Sequence, residues 1–273
     1  MKKVAIALVI LAVLFWLVFP SVLKGLGLHP DCPPFEGDLS GRSALVISTS
    51  HRDMCGDAGG ETGVAASELI HPYYEFLDAG MRVDVASIQG GVIPMEPGML
   101  GWPIAGAYEK RFLADPAAQE WVAESLKIDD IDFTQYDVVF IAGGWGAAFD
   151  LGQSEVLGDK MTEANAAGAL LGAVCHGPLG LIRARKVDGT PLLEGVRATG
   201  VTDEAVAALG ITCTPMHPET EMRKVGAIFE EDHDAVHEFF TNYRTQDGNL
   251  FTGMNQNASC STAQDIMLSL LSQ

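Results

Sequence analysis

Sixteen consecutive uncharged residues, Val4 to Phe19, follow Met1-Lys-Lys, and the apolar run continues past Pro20 to Val22 and Leu23. About twenty residues of helix cross a bilayer, so this run suits a short membrane helix and also the core of a signal peptide. The sequence after Phe19 offers no convincing small-x-small cleavage site, and no Leu-x-Gly-Cys lipidation box precedes Cys32. Residues 1–23 are therefore read as an uncleaved membrane anchor, ahead of a cleaved signal peptide and, last, a buried N-terminal helix. Lys2 and Lys3 stay on the cytoplasmic side, which places the rest of the chain in the periplasm or cell exterior, tethered to the inner membrane. Residues 24–41 are rich in Gly and Pro and lack a sustained period, so they read as a tether or an extended strap.

From Arg42 onward the pattern alternates. Ser43–Ser48, Met81–Ser87, Tyr136–Ala142 and Ala169–Val174 are short, apolar and rich in β-branched residues, whereas Val64–Leu77, Ala117–Leu126 and Glu155–Ala166 carry helical spacing. Strands separated by helical stretches predict right-handed crossovers and a mainly parallel sheet with helices on both faces, an α/β sandwich formed by one domain over 42–273. Active sites in such sheets lie beyond the C-terminal ends of the strands. Three of those ends carry residues suited to chemistry: Ser48–Asp53, Gly143-Gly-Trp-Gly146 and Cys175-His176.

The chain has 273 residues, 48% of them hydrophobic and 30 of them glycine, enough for one large core. Its formal net charge of -19 argues against nucleic acid as a partner and against docking on anionic lipid, but leaves small neutral ligands open. The sharpest chemical feature is Ala169-Leu-Leu-Gly-Ala-Val-Cys-His-Gly-Pro178. An apolar strand ends on a cysteine between small residues and then opens into Pro178-Leu-Gly-Leu-Ile-Arg, the pattern of a strained strand-to-helix elbow. A helix starting there would favour thiolate over thiol at Cys175 and make His176 a helper. A plain buried cysteine at a strand end is the competing reading. Glu68 falls inside the apolar stretch Val64-Ala-Ala-Ser-Glu-Leu-Ile, where a carboxyl stays protonated until a partner appears and then carries a proton.

Five segments together, Ser67–Phe76, Ala79–Ser87, Gly143–Leu151, Val174-Cys-His-Gly-Pro178 and Asp247–Asn257, resemble the ThiJ/PfpI superfamily. The likeness runs in matching order from about residue 43 to the C-terminus, nearest to the subgroup of glutathione-independent glyoxalases and heat-shock chaperones. It implies a flavodoxin-like sandwich shared with class I glutamine amidotransferase domains. It also implies a Cys175 nucleophile with Glu68 against it, His176 beside the sulfur, and an oxyanion hole from the backbone of Gly144, Trp145 and His176. The family's third acid would orient His176, but Thr199-Gly-Val-Thr-Asp-Glu-Ala-Val206 offers Asp203 and Glu204 slightly early and Val206 at the expected place. Trp145 replaces a more usual histidine and should narrow the pocket.

The expected reaction is conversion of a small reactive aldehyde, methylglyoxal to lactate. A cysteine amidase or peptidase, or a holdase chaperone or redox-sensing stress protein, is the alternative. No cofactor or metal is expected, and a homodimer is left open. The insert Gln89–Glu109, aperiodic with two large aromatics, reads as a wall or lid over the site, or equally as a surface loop. His217-Pro-Glu-Thr-Glu221 invites a metal reading but better suits the first turn of a helix. Cys32, Cys55, Cys213 and Cys260 are an even number that an oxidising exterior could pair; their spacing does not say how, and Cys260 is also a candidate resolving thiol for Cys175.

Overall fold

The computed structural model describes residues 2–55, 60–232 and 238–273. In chain order its elements are α1 (Lys2–Gly25), β1 (Ser43–Ser48), α2 (Ala66–Asp78), β2 (Arg82–Ser87), α3 (Ala107–Ala114), α4 (Pro116–Ala123), β3 (Leu126–Lys127), β4 (Val138–Ile141), α5 (Ala147–Asp150), α6 (Glu155–Ala167) and β5 (Leu170–Val174). They continue with β6 (Arg197–Ala198), α7 (Asp203–Ala208), α8 (Pro218–Lys224), β7 (Ile228–Phe229), β8 (Arg244–Asp247), β9 (Leu250–Gly253) and α9 (Ser259–Leu271). Seven strands form one sheet in the order β3-β2-β1-β4-β5-β9-β8, parallel except for the β8–β9 hairpin; β6 and β7 pair separately.

The central strands are buried on both faces, which is why they read as unbroken apolar runs rather than alternating ones. In β1, Ala44 and Val46 join Leu69, Ile70, Phe76 and Ile266 under α2 and α9, while Leu45 and Ile47 join Leu157 and Met161 under α6. Burying each large aliphatic side chain contributes about 1.5–3 kcal/mol, so these two layers dominate the stability of the sheet. α8 begins at Pro218 after His217, the helix start expected there.

α1 is 24 residues long, has no buried residue, and is long and apolar enough to cross a membrane. Its second half meets the insert: Trp102 stacks on Trp16 with ring centroids 6.4 Å apart and donates its indole N–H to the Trp16 carbonyl. The 32–39 segment lies against α2 and α9 and is fastened there by a Cys32–Cys260 disulfide and by Gln264, which donates to the Pro33 carbonyl. A second disulfide joins Cys55 to Cys213, leaving Cys175 as the free cysteine. Cys260 is therefore not a resolving thiol for Cys175, since its sulfur is bonded to Cys32.

Candidate active site

β5 delivers Cys175 to the C-terminal edge of the sheet, where its backbone turns left-handed with φ +57°. A non-glycine residue held there stores about 1–3 kcal/mol, so its surroundings must enforce it. They do: the Cys175 N–H donates to the Gly253 carbonyl at 3.0 Å, and its own carbonyl accepts the Val201 N–H at 3.1 Å. Gly177 gives the turn its room, because a Cβ there would sit 2.3 Å from the Ile141 carbonyl oxygen. Beyond the turn the chain winds into one 3-10 segment, Gly177–Leu181, and not the α-helix expected from the sequence. Five residues of tight helix align few peptide dipoles, so little positive potential reaches the sulfur.

The consequence is a thiol rather than a standing thiolate. Burial pushes the Cys175 thiol well above its ordinary value, the charge of Glu68 pushes it further, and the Gly144 N–H pulls it part of the way back. Glu68 stands in the first turn of α2, fully buried, with Oε2 accepting the Gly143 N–H at 2.8 Å. Burial raises its pKa well above the usual carboxyl range, the nearby Glu96 adds to this, and the Cys175 thiol with Gly143 and Gly144 opposes it. Each group therefore shifts the titration of the other. Moving a proton from the thiol to an ionised Glu68 leaves the buried charge unchanged, which is the cheapest way to make a thiolate in this setting.

His176 Nδ1 lies 3.4 Å from the Cys175 sulfur, while its buried Nε2 has no hydrogen-bond partner among the described residues. Burial, with a contribution from His217, lowers the imidazole to about 3, so it is neutral near pH 7. Neither Asp203 nor Glu204 orients it. Asp203, at the start of α7, accepts from the Thr220 hydroxyl and lies 3.6 Å from His217 Nδ1. Val206 packs with Cys175, Val201 and Ala205 in a small apolar cluster, so the place expected to carry the third acid carries hydrocarbon. Asp203→Ala and Glu204→Ala are each expected to cost no more than about tenfold in kcat/KM, below the range typical of a positioned acid or base; steady-state assays of both variants check this.

The oxyanion donors are arranged differently from the expected set. The Gly144 N–H points at the Glu68–Cys175 pair, but the Trp145 N–H donates to Glu96 Oε1 at 2.6 Å. Gly144 has φ +85°, and a Cβ there would lie 2.3 Å from the Ala65 nitrogen, so only glycine lets this loop approach α2. The Trp145 indole rests 4.8 Å from the His176 ring and walls the pocket.

Sequence reasoning missed two acids. Glu96, from the insert, and Glu238 join Glu68 and Cys175 in lining a cavity of about 270 Å³ whose other walls include Met99, Met254 and Leu209. Glu238 accepts the Thr202 hydroxyl at 2.6 Å. Burial raises Glu96 and Glu238 each to about 7 from an ordinary 4.5. The only sequence signal for Glu96 was its place in the insert, between Met95 and Pro97. An acid whose folded-state pKa is raised stabilises the fold fully below its unfolded value and loses that contribution as pH climbs through the folded one. Glu96 and Glu238 should therefore each contribute a fall in the thermal midpoint between about pH 4.5 and 7, and Glu96→Gln should remove its share; melting curves of wild type and variant, compared pairwise across this range, test this.

Over residues 60–268 the chain matches the DJ-1/PfpI family model. The glutathione-independent glyoxalase HSP31 of Saccharomyces cerevisiae is 29% identical over 82% of this chain and 96% of its own length. Glyoxalase 3 of Candida albicans is 27% identical over the same shares. Among solved structures, glyoxalase III from Candida albicans superposes with a TM-score of 0.76 at 25% identity, covering 84% of this chain and 97% of that one. Rapid Encystment Protein 24 KDa from Francisella tularensis gives 0.77 at 27% identity over 84% and 99%. With the parallel sheet, the strained cysteine turn and a family match spanning most of its length, this chain belongs to the DJ-1/PfpI family.

Proposed function

We propose that this protein is a glutathione-independent glyoxalase-like enzyme that converts methylglyoxal and water to lactate. The observation that carries the reading is the buried Cys175–Glu68 pair opening on a mostly apolar cavity of about 270 Å³, a size suited to a three-carbon aldehyde. Glu68 takes the thiol proton as the sulfur adds to the aldehyde carbon, giving a hemithioacetal whose oxyanion faces the Gly144 N–H. Glu68 returns that proton to the oxyanion, and the freed carboxylate takes the C1 proton, giving an enediol that is protonated at C2 as its C1 hydroxyl loses a proton; the resulting thioester is hydrolysed by water to lactate and free thiol. The names of the relatives support this class of reaction. Amide cleavage is less well served, because it needs a base that becomes a charged acid for the amine, and His176 is held neutral with no acid on its Nε2 among the described residues to stabilise an imidazolium. The test is a panel of 2-oxoaldehydes and amides with the purified protein, reading D-lactate or L-lactate against released amine; turnover of amides alone would reject the glyoxalase reading.

We further propose that α1 anchors the protein in the inner membrane with the catalytic domain outside the cytoplasm. Its exposed apolar surface and the two lysines ahead of it support this. Protease added to spheroplasts should digest the domain; protection until lysis would reverse the orientation.

A further inference from the structure

A second cavity, of about 290 Å³, lies under the 29–35 segment and shares no lining residue with the Cys175 pocket. Beside it the Cys32 sulfur, the Cys260 sulfur and a Glu75 carboxylate oxygen lie within 4.8 Å of one another. His71, one turn before Glu75 on α2, points Nδ1 at the Cys32 sulfur from 3.6 Å. Each of these two α2 side chains is held by further groups. His71 Nε2 lies 2.7 Å from Oε1 of the buried Glu109. The Glu75 oxygens accept from the Tyr108 hydroxyl and the Gln264 amide, each at 2.8 Å.

None of these contacts is needed to close a disulfide. A disulfide needs two thiols at a suitable distance and no imidazole, carboxylate or supporting acid. Two thiolates, one imidazole and one carboxylate are instead the donor set of a tetrahedral zinc site. The Glu109 carboxylate fixes the proton of His71 on Nε2 and leaves the Nδ1 lone pair facing the sulfur, the arrangement in which zinc-bound histidines are held. Ligand atoms around a tetrahedral zinc stand about 3.4–3.8 Å apart: His71 Nδ1 is already 3.6 Å from the Cys32 sulfur, the Glu75 oxygen within 4.8 Å of both sulfurs need move in only slightly, and the two sulfurs separate to that spacing once their bond is reduced.

We propose that Cys32, Cys260, His71 and Glu75 form a redox-gated zinc site, with the disulfide and the metal-bound state mutually exclusive. A thiol-class reductant supplies two electrons to the Cys32–Cys260 bond, giving two thiols and its own disulfide. Zinc then binds both sulfurs as thiolates and releases two protons to solvent. Because Cys260 begins α9 and Cys32 belongs to the strap, either state fastens the strap to the domain, through sulfur alone or through metal.

The test uses full-length protein in detergent micelles, reduced with a phosphine, freed of it without air and titrated with Co²⁺. The reduced chain should bind one ion, with thiolate-to-cobalt charge-transfer absorption and the intense visible bands of a tetrahedral site, and the unreduced chain should show neither. Cys175→Ser, and Cys55→Ser combined with Cys213→Ser, should keep the spectrum; Cys32→Ser combined with Cys260→Ser should abolish it. Glu109→Gln should weaken zinc affinity, read by competition with a chromophoric chelator, by about 10-fold to 100-fold. The proposal is overturned if the reduced wild type binds no cobalt or loses its native near-UV circular dichroism. It is equally overturned if the bands survive the Cys32/Cys260 double substitution or vanish in Cys175→Ser.

Discussion

Cys175→Ser is expected to lower methylglyoxal turnover by roughly three orders of magnitude or more. The substitution hardly changes volume, so the strained turn and its hydrogen bonds to Gly253 and Val201 persist. The acidity of the attacking group is what changes. Burial already holds the thiol well above its ordinary value, and a hydroxyl in the same enclosure begins several units higher still. Glu68 can draw a proton from sulfur because the exchange leaves the buried charge unchanged, but it cannot draw one from a serine hydroxyl at useful rates. Lactate formation by the variant, compared with wild type under single-turnover conditions, measures the loss. Retention of wild-type turnover would remove Cys175 from the mechanism.

Glu68→Gln should cost about 100-fold to 10,000-fold in kcat, the range of a positioned general acid or base. The amide oxygen can still accept the Gly143 N–H at the place where Oε2 accepts it now, so the loop should stay in register. The loss is chemical: the carboxyl beside the sulfur no longer takes the thiol proton or carries it between the two carbons, the imidazole of His176 is lowered to about 3, and the other acids lining the cavity, Glu96 and Glu238, are tied to the Trp145 N–H and the Thr202 hydroxyl. The double substitution should cost no more than about the larger single one, because both residues serve one addition and proton-transfer sequence. Independent, additive losses would mean that Glu68 acts apart from the sulfur.

The parts of the fold that were readable are those where one physical demand dominates. Ser43–Ser48 and Leu170–Val174 are central strands buried on both faces, and only runs of apolar residues tolerate that, so their boundaries were visible to within a residue or two. Arg244-Thr-Gln-Asp247 is an edge strand whose pairing is set by the Gly248 turn and its partner, and its polar side chains carry no period to detect. The cysteine turn was legible because an abrupt strand end flanked by small residues is the local signature of a crowded, strained elbow. The state of its sulfur was not, because it depends on burial by residues distant in sequence, which outweighs the weak field of a five-residue 3-10 segment. Glu96 was invisible for a related reason. An aperiodic loop gives no indication of which of its side chains turns inward, and the contact with Trp145 spans 49 positions. The disulfides likewise join residues separated by 158 and 228 positions, and no spacing rule reaches that far.

The Glu96 contact with the Trp145 N–H has a bearing on how this scaffold diversifies. Cys175, Glu68 and Gly144 all ride on the sheet and its first helix, whereas the carboxyl that accepts the Trp145 N–H beside them arrives on a connection between β2 and α3. Connections of this kind accept changes in length and composition with little effect on the elements they join. Grafting a different β2–α3 loop would thus exchange the polarity of the pocket rim while leaving the reacting pair in place, which makes residues 88–106, short of the α3 residues that hold α2, a separable module for redirecting the enzyme toward bulkier or charged carbonyl compounds.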